Sequence, residues 1–265
     1  MGIVNLTPDS FSGDGVVNDP KAAIAHAQAQ IAAGADILDI GAESSRPGAI
    51  PTSLQEELDR LLPVLEALRD CGVPISVDTY KPEVMRAALA CGAAMINDIS
   101  GFRNPAAIEA IRGSDCGLCV MHMRGEPLTM QAQPEYQDVV AEVDAFLQLQ
   151  IAQLDAAGIA RERLVLDPGF GFGKTLEHNL SLFRALPAWC REWPVLVGVS
   201  RKTMIGQITG QPVAERMAGS VAAALLAAQS GARLLRVHDV AATRDALAVL
   251  AAVSGCQKQD TDQAR

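Results

Sequence analysis

The chain has 265 residues, 49% of them hydrophobic and 20% charged, a globular composition with length for one large domain or two small ones. Acidic residues outnumber basic ones 31 to 22, for a net charge of −9, and 4% of residues are aromatic, which argues against a nucleic-acid or anionic-membrane partner. No apolar run approaches the roughly 18–20 residues that span a bilayer, and no basic segment followed by an apolar stretch marks a secretory leader. A soluble cytoplasmic enzyme is expected.

In chain order, short apolar or β-branched runs fall at 2–5, 37–41, 75–78, 94–98, 118–121, 164–167, 195–199 and 234–237. Most are continuously apolar rather than alternating, as strands covered on both faces are. Helix punctuation separates them. Asp19-Pro20 and Asn104-Pro105 pair an N-cap with proline in the first turn. Ser53-Leu54-Gln55-Glu56 reads as a capping box ahead of Leu58, Leu61, Leu62, Leu65 and Leu68 on one helical stripe. Gly34, Gly72, Gly92, Gly158 and Gly231 follow helical stretches, where a left-handed cap ends a helix. The longest helix is expected between Pro134 and Gly158.

Strands alternating with helices imply right-handed βαβ units and a parallel sheet. Eight units of about 33 residues match a closed (β/α)8 TIM barrel, in which the active site lies at the C-terminal ends of the strands. The rival, an open doubly wound sheet, should carry a GxGxxG fingerprint, and Gly13-Asp14-Gly15 is not one. A single α/β domain is expected over residues 1–254, with a polar, disordered tail at 255–265.

The strand ends then collect Asn5, Glu43 with Ser44-Ser45-Arg46, Asp78, Asn97, Met121 with His122, Asp167, Ser200-Arg201-Lys202, and Arg236 with His238. Such a ring is costly at an apolar rim unless each member finds a partner, in a structural network or in a ligand. Arg236 and His238, two apart at the end of strand eight, would point the same way and could grip phosphate oxygens. Asn5, with few carboxylates near it, suits a weak ligand for Mg2+ already held by phosphates. Asp78 and Asp167 can accept adjacent N–H donors from a heterocycle.

Three loops carry glycine, and two of them also carry phenylalanine: 7–15 with Phe11 and 167–174 with Phe170 and Phe172, while Ser45-Arg46-Pro47-Gly48 follows the second strand. Burial does not account for these aromatics in the sequence, and they suggest a flat substrate and a mobile lid, with compact Ω-loops as the alternative. His122 reads as a hydrogen-bonded structural histidine, and His26 and His178, on helices, as solvated. Of six cysteines, Cys116 and Cys119 form a CxxC on an apolar strand, where an offset of three puts them on opposite faces. Buried thiols are expected there, with a redox or zinc site the alternative.

At these residues the sequence resembles the dihydropteroate synthase family, from Met1 to about Val253. The motifs are residues 1–12, Glu43-Ser44-Ser45-Arg46-Pro47-Gly48, Val77-Asp78-Thr79, Ile96-Asn97-Asp98-Ile99, 166–174, Ser200-Arg201-Lys202 and Arg236-Val237-His238-Asp239-Val240. The resemblance implies condensation of p-aminobenzoate with 6-hydroxymethyl-7,8-dihydropterin pyrophosphate, with Mg2+ as cofactor. It assigns Asp78, Asn97, Asp167 and Lys202 to the pterin, with Arg236 stacked on it and Met121 lining the pocket. Asn5, Ser45, Arg46, Arg236 and His238 would serve the pyrophosphate, with Asn5 the metal ligand. Phe11, Pro47, Phe172, Ser200 and the stem of Lys202 would frame the p-aminobenzoate site. Pyrophosphate would leave before the amine attacks.

Two departures concern the first two loops. Asp14 is shifted by one from the usual Ser-Phe-Ser-Asp-Gly-Gly pattern, and Ser45 stands where threonine is usual. Family members also usually carry a segment ahead of the first strand. The resemblance further implies a homodimer, to which the apolar stretch 213–228 with Met217, Val221, Leu225 and Leu226 is suited. The alternatives are a pterin-binding methyltransferase domain, which leaves Arg46, Arg236 and His238 less well explained, and a non-catalytic pterin-binding homologue.

Overall fold

The computed structural model describes residues 1–7, 19–44, 48–125, 130 and 134–255. The elements run β1 (Gly2–Asn5), α1 (Pro20–Ala32), β2 (Leu38–Gly41), α2 (Leu54–Ala67), β3 (Ile75–Asp78), α3 (Pro82–Ala90), β4 (Met95–Asp98), α4 (Pro105–Ile111), β5 (Gly117–Met121) and α5 (Val139–Ala156). They continue with β6 (Leu164–Asp167), α6 (Leu176–Glu192), β7 (Leu196–Val197), α7 (Thr203–Thr209), α8 (Met217–Gln229), β8 (Leu234–Leu235) and α9 (Val240–Val253).

Strands β1 to β6 pair in parallel in sequence order, and β7 pairs with β8. Parallel bridges from Leu166 to Val195 and from Gly2 to Val237 join the two pieces, so the eight strands close a barrel. Strands β7 and β8 are shorter than the runs 195–199 and 234–237 suggest. Backbone pairing nonetheless continues past them, with Arg236 N donating to Val197 O at 3.0 Å and Val237 N to Met1 O at 3.0 Å.

Local chemistry explains where the helices begin. Asp19 accepts from Lys21 N and Ala22 N, and Asn104 from Ala106 N, each ahead of a first-turn proline. Ser53 accepts from Glu56 N at 3.3 Å, but the Glu56 carboxylate pairs with Arg60, so the expected box is half formed. A reciprocal box occurs instead at Thr175 and His178, each side chain accepting the other's backbone N–H. His178 is therefore not simply solvated; it also meets Tyr136 edge-on at 4.9 Å. Nor is His26, whose half-buried ring lies 3.3 Å from Ile3 O. The five helix-ending glycines have φ between +80° and +98°.

The alternation of strand side chains divides the interior. Leu38, Ile40, Val77, Ile96, Leu118, Val120 and Leu166 face outward and pack against Leu61 and Leu65 of α2, Leu147 of α5 and Leu182 of α6 in the main core. Met95, Cys119 and Leu196, with Met1, Val165 and Leu234, form a second cluster in the lumen. The intervening lumen positions toward the C-terminal ends are polar and form the site. Cys116 belongs to the outer core and Cys119 to the lumen cluster, both free thiols, and burial holds Cys119 well above the usual thiol range. Their CxxC spacing makes no redox pair.

Among the described residues no helix is long and apolar enough to cross a membrane. Met217 and Leu226 of α8, and Val249 and Val253 of α9, are exposed. The tail from 256 onward lies outside the described residues.

Candidate active site

A cavity of about 670 Å3 opens at the C-terminal end of the barrel. Asn5, Asp78, Asn97, Met121, Asp167, Phe172, Ser200, Lys202, Arg236 and His238 all line it. Phe11, Ser45, Arg46 and Pro47, like Asp14, lie outside the described residues.

The deepest polar layer is built on β2, β3, β4 and the strand end after β8. Arg236 donates from Nε to Asp39 Oδ2 at 2.5 Å and from Nη2 to Asp78 Oδ2 at 3.0 Å. Burial lifts the Asp78 carboxyl to about 7, against the pull of Arg236. Burial alone would lower the Arg236 guanidinium, but Asp39 and Asp78 more than offset it and hold the value above the usual range. Asn97 Nδ2 reaches Asp39 Oδ2 at 3.4 Å. Asp39 Oδ1, Ser76 Oγ and Asn97 Oδ1 are buried without a hydrogen-bond partner among the described residues. Such orphans are costly in a folded chain and point to an absent donor. Gly41 keeps this layer open, since a Cβ there would lie 3.3 Å from Asp78 Cβ.

Across the lumen, Asp167 accepts from Gly169 N at 2.7 Å, and burial raises its pKa against the pull of Lys202. Lys202 donates to Phe170 O at 2.6 Å and sits 4.6 Å from the centre of the Phe172 ring. Burial lowers its ammonium to about 8, with Asp167 opposing. The two loop phenylalanines divide: Phe172 lines the cavity, whereas Phe170 is fully buried 5.7 Å from Phe183. The expectation that burial could not account for Phe170 is corrected; its backbone turns the ring into the outer core.

At the rim, Ser200 Oγ accepts from His238 N at 3.2 Å and lies 3.0 Å from His238 Nδ1. Arg201 adopts φ +56°, donates its backbone N–H to Ser220 Oγ at 2.8 Å and pairs through two nitrogens with Asp239. Its guanidinium thus braces the loop against the start of α9. Glu43 accepts from Tyr80 OH at 2.8 Å and pairs with Lys81, which also pairs with buried Glu57 at 2.5 Å. This network anchors the segment that leads into Ser45 and Arg46. His122 is buried and hydrogen-bonded, as expected, 2.9 Å from Lys174 Nζ.

Asp39, Lys81 and Lys174 were not singled out from the sequence. Asp39 had a legible signal: it is the one charge in the apolar run 37–41, on the face opposite Leu38 and Ile40.

A closed barrel whose lumen gathers carboxylates, an amide, a lysine and an arginine around one cavity defines an enzyme that binds a flat, donor-rich ring. A profile of the family described as pterin binding enzyme matches residues 1–238. The chain is 50% identical over 254 residues to dihydropteroate synthase of Escherichia coli K12, covering 95% of this chain and 90% of that protein. A crystal structure of Burkholderia cenocepacia dihydropteroate synthase complexed with 7,8-dihydropteroate superposes with a TM-score of 0.88 at 52% identity, covering 96% of this chain and 90% of that one. The Xanthomonas albilineans enzyme with 4-aminobenzoic acid gives 0.89 at 51%, covering 97% and 93%. The chain belongs to the pterin-binding enzyme family, and within it to the dihydropteroate synthases, which are transferases.

Proposed function

We propose that the chain joins p-aminobenzoate to 6-hydroxymethyl-7,8-dihydropterin pyrophosphate, forming 7,8-dihydropteroate and pyrophosphate. The observation that carries this reading is the set of acceptors, half-buried Asp78, buried Asp167 and the orphaned Asn97 Oδ1, which share one cavity with Arg236 and His238. The product and the aromatic acid held by the two related crystal structures support both halves of it.

In this reading Asp78, Asn97, Asp167 and Lys202 hold the pterin edge, Met121 lines the ring's pocket and Arg236 stacks on its face. Asn5, Ser45, Arg46, Arg236 and His238 take the pyrophosphate. Phe11, Pro47, Phe172, Ser200 and the Lys202 stem frame p-aminobenzoate. The hard step is breaking the methylene C–O bond, whose electron pair leaves on pyrophosphate. Arg236 and His238 stabilise that negative charge, while Asp78 and Asp167 stabilise the cation left on the pterin. The arylamine lone pair then forms the C–N bond and the nitrogen gives up a proton. An arylamine is largely unprotonated at neutral pH, so placement between Phe172 and the Lys202 stem matters more than a strong base.

Asn5 lines the cavity with one neutral oxygen donor, and no cluster of three His, Cys, Asp or Glu side chains suited to a metal occurs among the described residues. That donor set fits Mg2+ arriving with pyrophosphate, which Asn5 would help to hold. When bound, the ion would neutralise charge on the leaving group.

Residues 1–254 act as one domain. The exposed Met217, Leu226, Val249 and Val253 support a homodimer through α8 and α9, and this reading takes the site of action to be cytoplasmic. Calorimetry separates the synthase from the methyltransferase reading. Tight binding of the pterin pyrophosphate and weak binding of a methyltetrahydrofolate is the expected result; the reverse order would refute it.

A further inference from the structure

A buried lysine that the proposed reaction does not use ties together the loops after β5 and β6. Lys174 is 3% exposed. Its Nζ donates to Gly169 O at 2.9 Å and Phe172 O at 3.0 Å, lies 2.9 Å from His122 Nδ1 and reaches His122 O at 3.4 Å. The three shorter contacts match the three protons of an ammonium, and the longer one shares a proton with them. Burial and the Lys174 charge hold His122 down near 2, so its ring is neutral and offers Nδ1 as an acceptor. Burial also draws the Lys174 ammonium down to about 7 against the pull of Asp167, while bonding to three acceptors favours the protonated form.

The backbone tightens the same knot. Gly169 has φ +71°, and a Cβ there would stand 1.8 Å from His122 O, so no other residue fits this crossing. Gly169 N donates to the Asp167 carboxylate at 2.7 Å, His122 N to Asp167 O at 3.0 Å, and Phe172 N to Gly169 O at 3.1 Å. The ammonium is thus linked through Gly169 to Asp167, and directly to the backbone that carries Phe172.

The geometry points to Lys174 as a positioning residue for the synthase reaction: its ammonium pins the turn 169–172 against the end of β5, and so aims the Asp167 carboxylate at the pterin and the Phe172 ring at the arylamine. This inference rests on the proposed function.

The test compares Lys174→Met, which keeps length and loses the ammonium, with wild type. The expected result is a folded protein by circular dichroism, at least a tenfold higher KM for p-aminobenzoate, and at least tenfold weaker calorimetric binding of 6-hydroxymethyl-7,8-dihydropterin. In Lys174→Ala, n-propylammonium should raise kcat/KM at least threefold and n-propanol should not. A folded Lys174→Met with wild-type KM and affinity overturns the assignment, as does equal rescue by n-propanol. Should Lys174→Met not fold, His122 decides. His122→Leu, which removes one acceptor, should raise the KM about threefold, and His122→Asn, which returns an oxygen near Nδ1, should lower it again; equal values in the two overturn the assignment. A wild type that binds the dihydropterin but releases no pyrophosphate would sink the synthase reading instead, and the binding comparison would still judge Lys174.

Discussion

Asp39, wholly buried on β2, accepts a hydrogen bond at 2.5 Å from Nε of Arg236, across the barrel beyond β8. The same guanidinium reaches Asp78 at 3.0 Å, so one cation is oriented by two carboxylates and cannot rotate freely over the cavity. Removing one member of a buried pair strands the other and costs about 3–5 kcal/mol. Asp39→Ala should lose roughly 3 kcal/mol of stability in urea unfolding, the low end because Asp78 remains, and should weaken pterin binding. A variant with wild-type stability and affinity would show that Asp39 does not orient Arg236.

The pH dependence of Asp78 has a defined sign. Its folded-state value of about 7 lies above the ordinary 3.8, so its stabilising contribution is fully present below pH 3.8 and is lost as pH rises through about 7. Pterin N–H groups need the carboxylate, so affinity runs the other way. Binding of 6-hydroxymethyl-7,8-dihydropterin should tighten roughly tenfold between about pH 6 and pH 8, and Asp78→Asn should flatten that profile. Calorimetry at several pH values checks both.

Asp167, at the end of β6, and Lys202, just ahead of α7, each hold part of the loop 168–174. Hydrogen bonds to charged groups are worth about 1.5–3 kcal/mol. Asp167→Asn and Lys202→Met should each weaken pterin binding by roughly 10- to 100-fold. Unchanged affinity in either folded variant would move the pterin elsewhere.

Phe172 lies on the same loop, its ring 4.6 Å from the Lys202 ammonium. A contact of this kind is worth about 0.5–2 kcal/mol. Phe172→Leu should raise the KM for p-aminobenzoate roughly fivefold and alter sulfonamide affinity, while leaving pterin binding near wild type. A pterin defect of the same size would place the ring differently.

The barrel was legible because its outward strand residues are continuous apolar runs and its helices are marked by Asp19, Asn104 and the terminal glycines. The rim was legible because charges at strand ends have few structural uses. What escaped notice depends on direction. Asp39 sits inside an apolar run, and its meaning appears when period-two alternation turns it inward beside Arg236. Phe170 and Phe172 are two apart in a loop that reads as mobile, yet one ring enters the core and the other the cavity. Lys174 reads as the end of a glycine-rich segment, and its three acceptors converge through tertiary contacts with the loop after β5. The Glu56 half of the expected capping box was lost to Arg60, four residues on, a stronger charged partner than a backbone N–H.

The most direct test is pyrophosphate release by the purified protein with 6-hydroxymethyl-7,8-dihydropterin pyrophosphate and Mg2+. Adding p-aminobenzoate should start stoichiometric formation of pyrophosphate and 7,8-dihydropteroate, and Lys202→Met should abolish most of it. Tight pterin binding with no pyrophosphate released on adding p-aminobenzoate would contradict the synthase assignment and leave a pterin-binding protein without this activity.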